Sequence, residues 1–182
     1  MTGFSIIVCC YNSAERVART LAHLAALDRS GGIPAELIII DNCCTDNTVA
    51  VAAAAWTDLQ APFEMRILRE RTQGLSAARE KGIQAARYDN LLFCDDDNLL
   101  DPAFLQVASA VLTGHPHIAM LGGLGTPLYE KVPSYWPEDF YVYGSGRQAA
   151  ENGRTLTLYG AALLLRKPAF LHLKEAGFNF IL

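Results

Sequence analysis

Three consecutive carboxylates, Asp95, Asp96 and Asp97, close the apolar run Leu91-Leu92-Phe93-Cys94 and are followed by Asn98. Like charges at this spacing repel, and their place at the end of a buried strand makes desolvation costly unless a cation neutralises them. Hard oxygen ligands of this type suit Mg²⁺ or Mn²⁺, which take one or two protein carboxylates and complete their shell with water and substrate phosphates. The chemistry indicated is a divalent metal holding a diphosphate. The competing reading is an acidic cluster favoured by the positive end of the next helix, although Asp101 already supplies a cap there and the triplet precedes it.

Two other polar groups end apolar runs. Tyr11-Asn12 and Asp41-Asn42 together offer an aromatic face, amides and a carboxylate, the usual means of holding a base and a ribose. Taken singly, Tyr11 is equally a strand-end aromatic and Asp41 a turn residue. Glu15 joins this group or stays a solvated carboxylate in a first helical turn. Gly74 and Ser76 open a helix that carries Arg79 one turn in. That guanidinium either grips a diphosphate bidentately or forms a surface pair with Glu80 or Asp89.

These groups need a scaffold that brings strand ends together. Residues 4–10, 37–41, 65–68 and 91–94 are short apolar runs, nearly continuous rather than alternating, as in a parallel sheet covered on both faces. Between them, Val17, Leu21, Leu24 and Leu27, then Val49, Ala53, Trp56 and Leu59, repeat at helical spacing. Asn12 or Ser13, Thr45 or Asp46, and Asp101 before Pro102 are the expected helix starts. The strand ends recur with the rhythm of βαβ units, so the ligand crevice should lie beyond their carboxyl ends. Residues 118–121 and 156–165 read as further strands, and Lys167-Pro168 opens a short helix through Lys174. Between them runs an aromatic, proline- and glycine-containing stretch, and its residues 129–143 are expected to form a mobile lid over the ligand.

Composition excludes several classes. The 182 residues are 51% apolar and 19% charged, so disorder is excluded and one sizeable core is expected. Fifteen Lys and Arg against nineteen Asp and Glu leave a net charge of −4, no footprint for a nucleic-acid backbone. No apolar run reaches the length needed to cross a bilayer. Met1-Thr2-Gly3-Phe4 enters a strand without a leader pattern, so the expected location is the cytoplasm, including the cytoplasmic face of a membrane. The odd set of Cys9, Cys10, Cys43, Cys44 and Cys94 reads as reduced, structural thiols. His23, His115, His117 and His172 lack metal-ligand spacing.

The order FSIIVCCYN at 4–12, LIIIDNCCTDNT at 37–48, GLSAAR at 74–79 and CDDDN at 94–98 resembles family 2 inverting glycosyltransferases of the GT-A fold. The likeness continues through Gly122-Gly123, Pro133-Ser134-Tyr135-Trp136 and Tyr159-Gly160-Ala161-Ala162 to Arg166. It implies an α/β fold, a Rossmann-like three-layer α/β/α with a mostly parallel sheet, in one domain over 1–182. Residues 1–98 would form the donor nucleotide-binding half; 99–182, with the loop 122–155, would start the acceptor half. By this resemblance Tyr11, Asn12, Glu15, Asp41, Arg79, Asp95 and Asp96 contact a UDP- or GDP-type sugar donor. Asp97 and Asp95 hold Mg²⁺ or Mn²⁺, and the acceptor is a saccharide or lipid-linked hydroxyl.

The chain departs from the family pattern in three places. Cys10 replaces the common proline before Tyr-Asn, Asn42 the second aspartate, and Cys43-Cys44 a Gly-Ser pair. The acidic motif that supplies the family's catalytic base is expected beyond Leu182, so the sequence reads as the N-terminal part of a longer enzyme. A phosphatase or phosphotransferase with an aspartate nucleophile would carry its paired aspartates after the first strand, where Cys-Tyr-Asn stands. A nucleotidyltransferase would carry a glycine-rich basic loop there. The remaining alternative is a non-catalytic module that binds nucleotide sugar.

Overall fold

A computed structural model describes residues 3–129 and 158–178. The region 130–157, which holds most of the expected aromatic lid, lies outside the described residues, as do the chain's last four positions.

The first four strand-forming runs fold as expected, three of them slightly longer than their apolar part. The strands are β1 (Phe4–Cys10), β2 (Ala35–Asn42), β3 (Met65–Glu70), β4 (Asn90–Asp95), β5 (Met120–Gly122) and β6 (Leu163–Arg166). The helices are α1 (Val17–Ala25), α2 (Thr48–Asp58), α3 (Leu75–Ala85), α4 (Phe104–Gly114) and α5 (Lys167–Glu175). The sheet order is β3-β2-β1-β4-β6-β5. Pairs among β1 to β4 are parallel, whereas β6 is antiparallel to both β4 and β5.

Strand alternation assigns the two faces. Ile6, Val8, Leu37, Ile39, Leu92 and Leu164 pack on one side with Leu21 and Leu24 of α1, Trp56 of α2 and Leu105 of α4. Ile7, Ile38, Ile40, Leu91, Phe93 and Leu165 pack on the other with Ala78 and Ile83 of α3 and Phe170 of α5. Both faces are covered, which is why the central strands carry no polar stripe.

The structure differs from expectation at two kinds of place. Ser13 and Asn12 do not cap α1 with their side chains; the Ser13 carbonyl accepts the Arg16 and Val17 amides instead. Within the run 156–165, the described residues 158–162 are not strand and pairing begins at Leu163, because Ala162 takes a left-handed backbone (φ 52°) and gives its carbonyl to the Gly123 amide.

Candidate functional site

The chain runs from β1 to β2 and β3 on one side and then to β4 on the other side of β1, so a topological switch point lies between β1 and β4. Such a point leaves a crevice at the carboxyl ends of the strands. Register brings the polar ends into one row: Cys10 is level with Asp41, Cys9 with Asp95, and Asp41 with Arg69. The motifs that follow β1, β2 and β4 therefore meet at the carboxyl end of the sheet.

The first two loops are stitched together. Asn12 takes a left-handed conformation (φ 51°), which short amide side chains tolerate, and its Oδ1 accepts the Thr45 amide at 2.8 Å. The Ser13 amide donates to Thr48 Oγ1 at 2.7 Å, and the Ala14 amide to Asp46 Oδ2 at 3.1 Å. Tyr11, at the tip, is 48% exposed, and Glu15 is exposed on the same turn. Both stand at the crevice rim with no role in the core.

Asp41 and Asn42 divide their work by face. Asp41 Oδ1 accepts the Cys44 amide at 2.9 Å, while Oδ2 lies 4.0 Å from Arg69 Nε. Asn42 is buried; it donates to the Thr72 carbonyl (2.7 Å) and accepts the Gly74 amide (2.8 Å). It thus pins the loop before α3. Cys43, where the family resemblance favours glycine, adopts φ 64°, a conformation costly for a residue with a Cβ, and its thiol donates to the Arg71 carbonyl. Gly74, at φ 139°, makes the turn into α3 in a region glycine occupies freely.

Arg79 faces the crevice and pairs with neither Glu80 nor Asp89: Glu80 meets Lys174, and the Arg79 guanidinium lies 3.8 Å from Asp95 Oδ1. It also stacks 5.5 Å over the Phe93 ring.

The three carboxylates have distinct surroundings. Asp95 is about half-exposed; burial pushes its carboxyl above the ordinary range, Arg79 opposes the shift, and the neighbouring Asp97 and Asp96 add to it. Asp97 is exposed. Asp96, grouped with them in the sequence, is buried, and both its oxygens are engaged by Arg16 and Ser13. Among the described residues no cluster of three or more His, Cys, Asp or Glu forms a closed metal cage. Asp95 and Asp97 stay outside the grip of Arg16 and Ser13, and their carboxylates are oxygen donors of the kind Mg²⁺ or Mn²⁺ takes.

The thiols beneath this row fit a structural role. Burial pushes Cys9 up to about 12, against the pull of Arg79, and drives Cys10 and Cys94 higher still. No helix among the described residues is long and apolar enough to cross a membrane.

Arg16, Thr20 and Thr48 carried no individual signal in the sequence, because these partners lie 35 to 80 positions away and only the fold brings them together. Glu36 did carry one, a charge beside an otherwise apolar strand. It lies at the amino end of β2, away from the crevice.

The description Glycosyl transferase family 2 matches residues 5–173. The chain is 31% identical over 98 residues to the succinoglycan biosynthesis protein ExoO of Rhizobium meliloti, across 54% of this chain and 26% of that protein. Poly-beta-1,6-N-acetyl-D-glucosamine synthase of Staphylococcus epidermidis is 25% identical over 190 residues, 97% of this chain and 42% of that one. Among solved structures, S. aureus TarS aligns with a TM-score of 0.70 at 21% identity, covering 98% of this chain and 50% of that one. The mannosyltransferase PcManGT from Pyrobaculum calidifontis, solved with GDP-Man and Mn²⁺, aligns at 0.73 and 19% identity, covering 93% and 46%. The chain spans less than half the length of these curated relatives. The mixed, mostly parallel sheet flanked by helices is the GT-A arrangement of those structures, and with the family match running from β1 into α5 the chain belongs to glycosyl transferase family 2.

Proposed function

We propose that this chain forms the donor-binding part of a metal-dependent glycosyltransferase that moves a sugar from a nucleoside-diphosphate sugar to an acceptor hydroxyl with inversion, in polysaccharide or glycoconjugate synthesis. The observation that carries this reading is the grouping of Asp95, Asp97 and Arg79 at the switch point, with Asp96 withdrawn from the crevice. TarS has been solved with UDP-GlcNAc and PcManGT with GDP-Man, which supports a nucleotide-sugar donor for this chain.

In this reading Tyr11, Asn12 and Asp41 hold the nucleoside, and Asp41 is already oriented by the Cys44 amide. Arg79 offers positive charge to the diphosphate, and Asp97 and Asp95 hold Mg²⁺ or Mn²⁺. That metal supplies charge stabilisation for the departing diphosphate. Deprotonating the acceptor is the work of a base outside the crevice described; Glu175, the one carboxylate after Glu151, is exposed at the end of α5. The acceptor, a saccharide or lipid-linked hydroxyl, belongs to that same remaining part of the site.

Calorimetric titration of UDP and GDP with Mn²⁺, and again in chelator, tests the reading. Asp97→Ala is expected to weaken metal-dependent binding by more than about 100-fold, beyond the roughly 10- to 100-fold typical of residues behind a ligand. Equal affinity with Mn²⁺ and chelator would sink the metal role.

A further inference from the structure

We propose that Asp96 is a positioning residue: with Arg16 and Ser13 it locks the acidic turn to the start of α1, and this lock aims Asp95 and Asp97. The identity of what those two carboxylates hold rests on the function proposed above; the lock itself does not.

Consecutive residues leaving an extended strand point to opposite faces. Asp95 accordingly lies on the α3 side with Arg79, and Asp96 on the α1 side. There Arg16 grips Asp96 with two parallel bonds, Nε to Oδ1 at 2.8 Å and Nη2 to Oδ2 at 3.0 Å, and the Ser13 hydroxyl donates to Oδ2. Thr20 Oγ1 donates to the Asp96 carbonyl at 2.8 Å, so main chain and side chain are both held. A fork of this kind fixes direction as well as distance.

The next step is local. The Asn98 amide donates to the Asp95 carbonyl at 3.1 Å, closing a turn whose central residues are Asp96 and Asp97. Holding the first central residue by four bonds leaves the second little freedom. Asp97 is therefore exposed yet aimed, which an isolated surface carboxylate is not. Ser13 extends the effect, since its amide is bonded to Thr48 and its hydroxyl to Asp96. The loops 11–14, 45–48 and 95–98 consequently move as one body, and the nucleoside and diphosphate ends of the crevice share a single alignment. For Asp96 to touch a ribose, it would have to leave Arg16 and Ser13 together, exposing two unpaired partners.

Arg16→Ala, Arg16→Lys, Asp96→Asn and the Arg16→Ala/Asp96→Asn double variant of the whole chain separate the readings. Peptide-level hydrogen exchange over residues 93–100 is expected to rise about tenfold in each single variant. Mn²⁺-dependent affinity for UDP or GDP should fall by a similar factor, the size of effect typical of a group that orients a ligand. The double variant should be no worse than the more affected single one, because both remove the same contact. Wild-type behaviour of Arg16→Ala beside lost binding in Asp96→Asn would overturn the lock and make Asp96 a nucleotide ligand. Unchanged exchange in all three singles would overturn it as well. Asp96→Asn keeps the side-chain shape and decides the matter if Arg16→Ala does not fold. If the unaltered chain binds no nucleoside diphosphate, the proposed function fails while the exchange measurement still decides the lock.

Discussion

The backbone of Gly160 closes over the guanidinium of Arg79 so tightly that a methyl group on residue 160 would collide with Nη2. Residue 160 lies in the segment leading into β6 and Arg79 in α3, so a return of the chain long after β4 finishes one wall of the crevice. One charge and one ring already flank that guanidinium: Asp95 and the Phe93 face.

Gly160→Ala should therefore act on binding more than on folding. The atom it meets is the far end of a flexible side chain, which can swing away, so the melting temperature should change little while nucleoside-diphosphate affinity drops by about tenfold, roughly the 1.4 kcal/mol of one displaced contact. Parallel calorimetric titration and thermal melting would show it. An affinity equal to that of the parent chain would place Arg79 outside the binding path.

Gly82→Ala should do the reverse. Alanine is the better helix former by about 1 kcal/mol, but a Cβ here would stand 2.5 Å from Ile7 Cγ2 in the core. Overpacking of this type costs about 1–3 kcal/mol, so the net expectation is a destabilised chain. Urea unfolding measures it, and a gain in stability would contradict the packing described between α3 and β1.

Acid stability should depend on Glu36. Burial alone pushes this carboxyl up, but the Arg87 amide, the Ser5 hydroxyl and the Arg66 guanidinium, each at 2.7 Å, outweigh it and hold the group below its ordinary value of 4.5. A lowered carboxyl stabilises the fold above its unfolded value, and that contribution is lost as pH falls through the folded one. The parent chain should lose stability as pH drops below about 4.5, following the usual behaviour of paired carboxylates. Glu36→Gln should be weaker by about 3 kcal/mol at neutral pH, as when a buried pair loses one member. Its melting temperature should also vary less with acid, and an acid limb as steep as the parent's would assign the loss to other groups.

The thiols give a chemical check. With Cys9 raised to about 12 and Cys10 and Cys94 pushed further by burial, almost no thiolate is available to an alkylating agent at pH 8. Iodoacetamide labelling followed by mass spectrometry should leave these three unmodified in the native chain and label all five cysteines in denaturant. Rapid native labelling of Cys94 would contradict its place in the core.

The central strands were legible in the sequence because burial on both faces writes a continuous apolar run, and the register of four such runs carries Tyr11, Asp41 and Asp95 to one edge without further information. Arg79 was legible as a candidate only; its direction depends on Phe93 and Gly160, which sequence spacing does not relate. Asp96 looked identical to its neighbours, since three aspartates in a row do not reveal which one turns inward to Arg16. The stretch before Leu163 was misleading for a related reason: apolar composition suits a strand, but the left-handed Ala162 delays it. The start of α1 was not legible, because Ser13 spends its hydroxyl on a distant carboxylate instead of on α1, whereas α3 and α5 open at Gly74 and Lys167-Pro168 as read.

The antiparallel pairing of β4 with β6 sets an order of events during synthesis. β4 ends at Asp95 and its second neighbour begins only at Leu163, so a nascent chain emerging at about 5–20 residues per second leaves that strand edge open for several seconds. In that interval Leu91, Leu92 and Phe93 are displayed on an unpaired border, the kind of border that recruits foreign strands. Any pause in translation before β6 has emerged would lengthen the exposure, so the vulnerable window for misassembly is written into the topology itself.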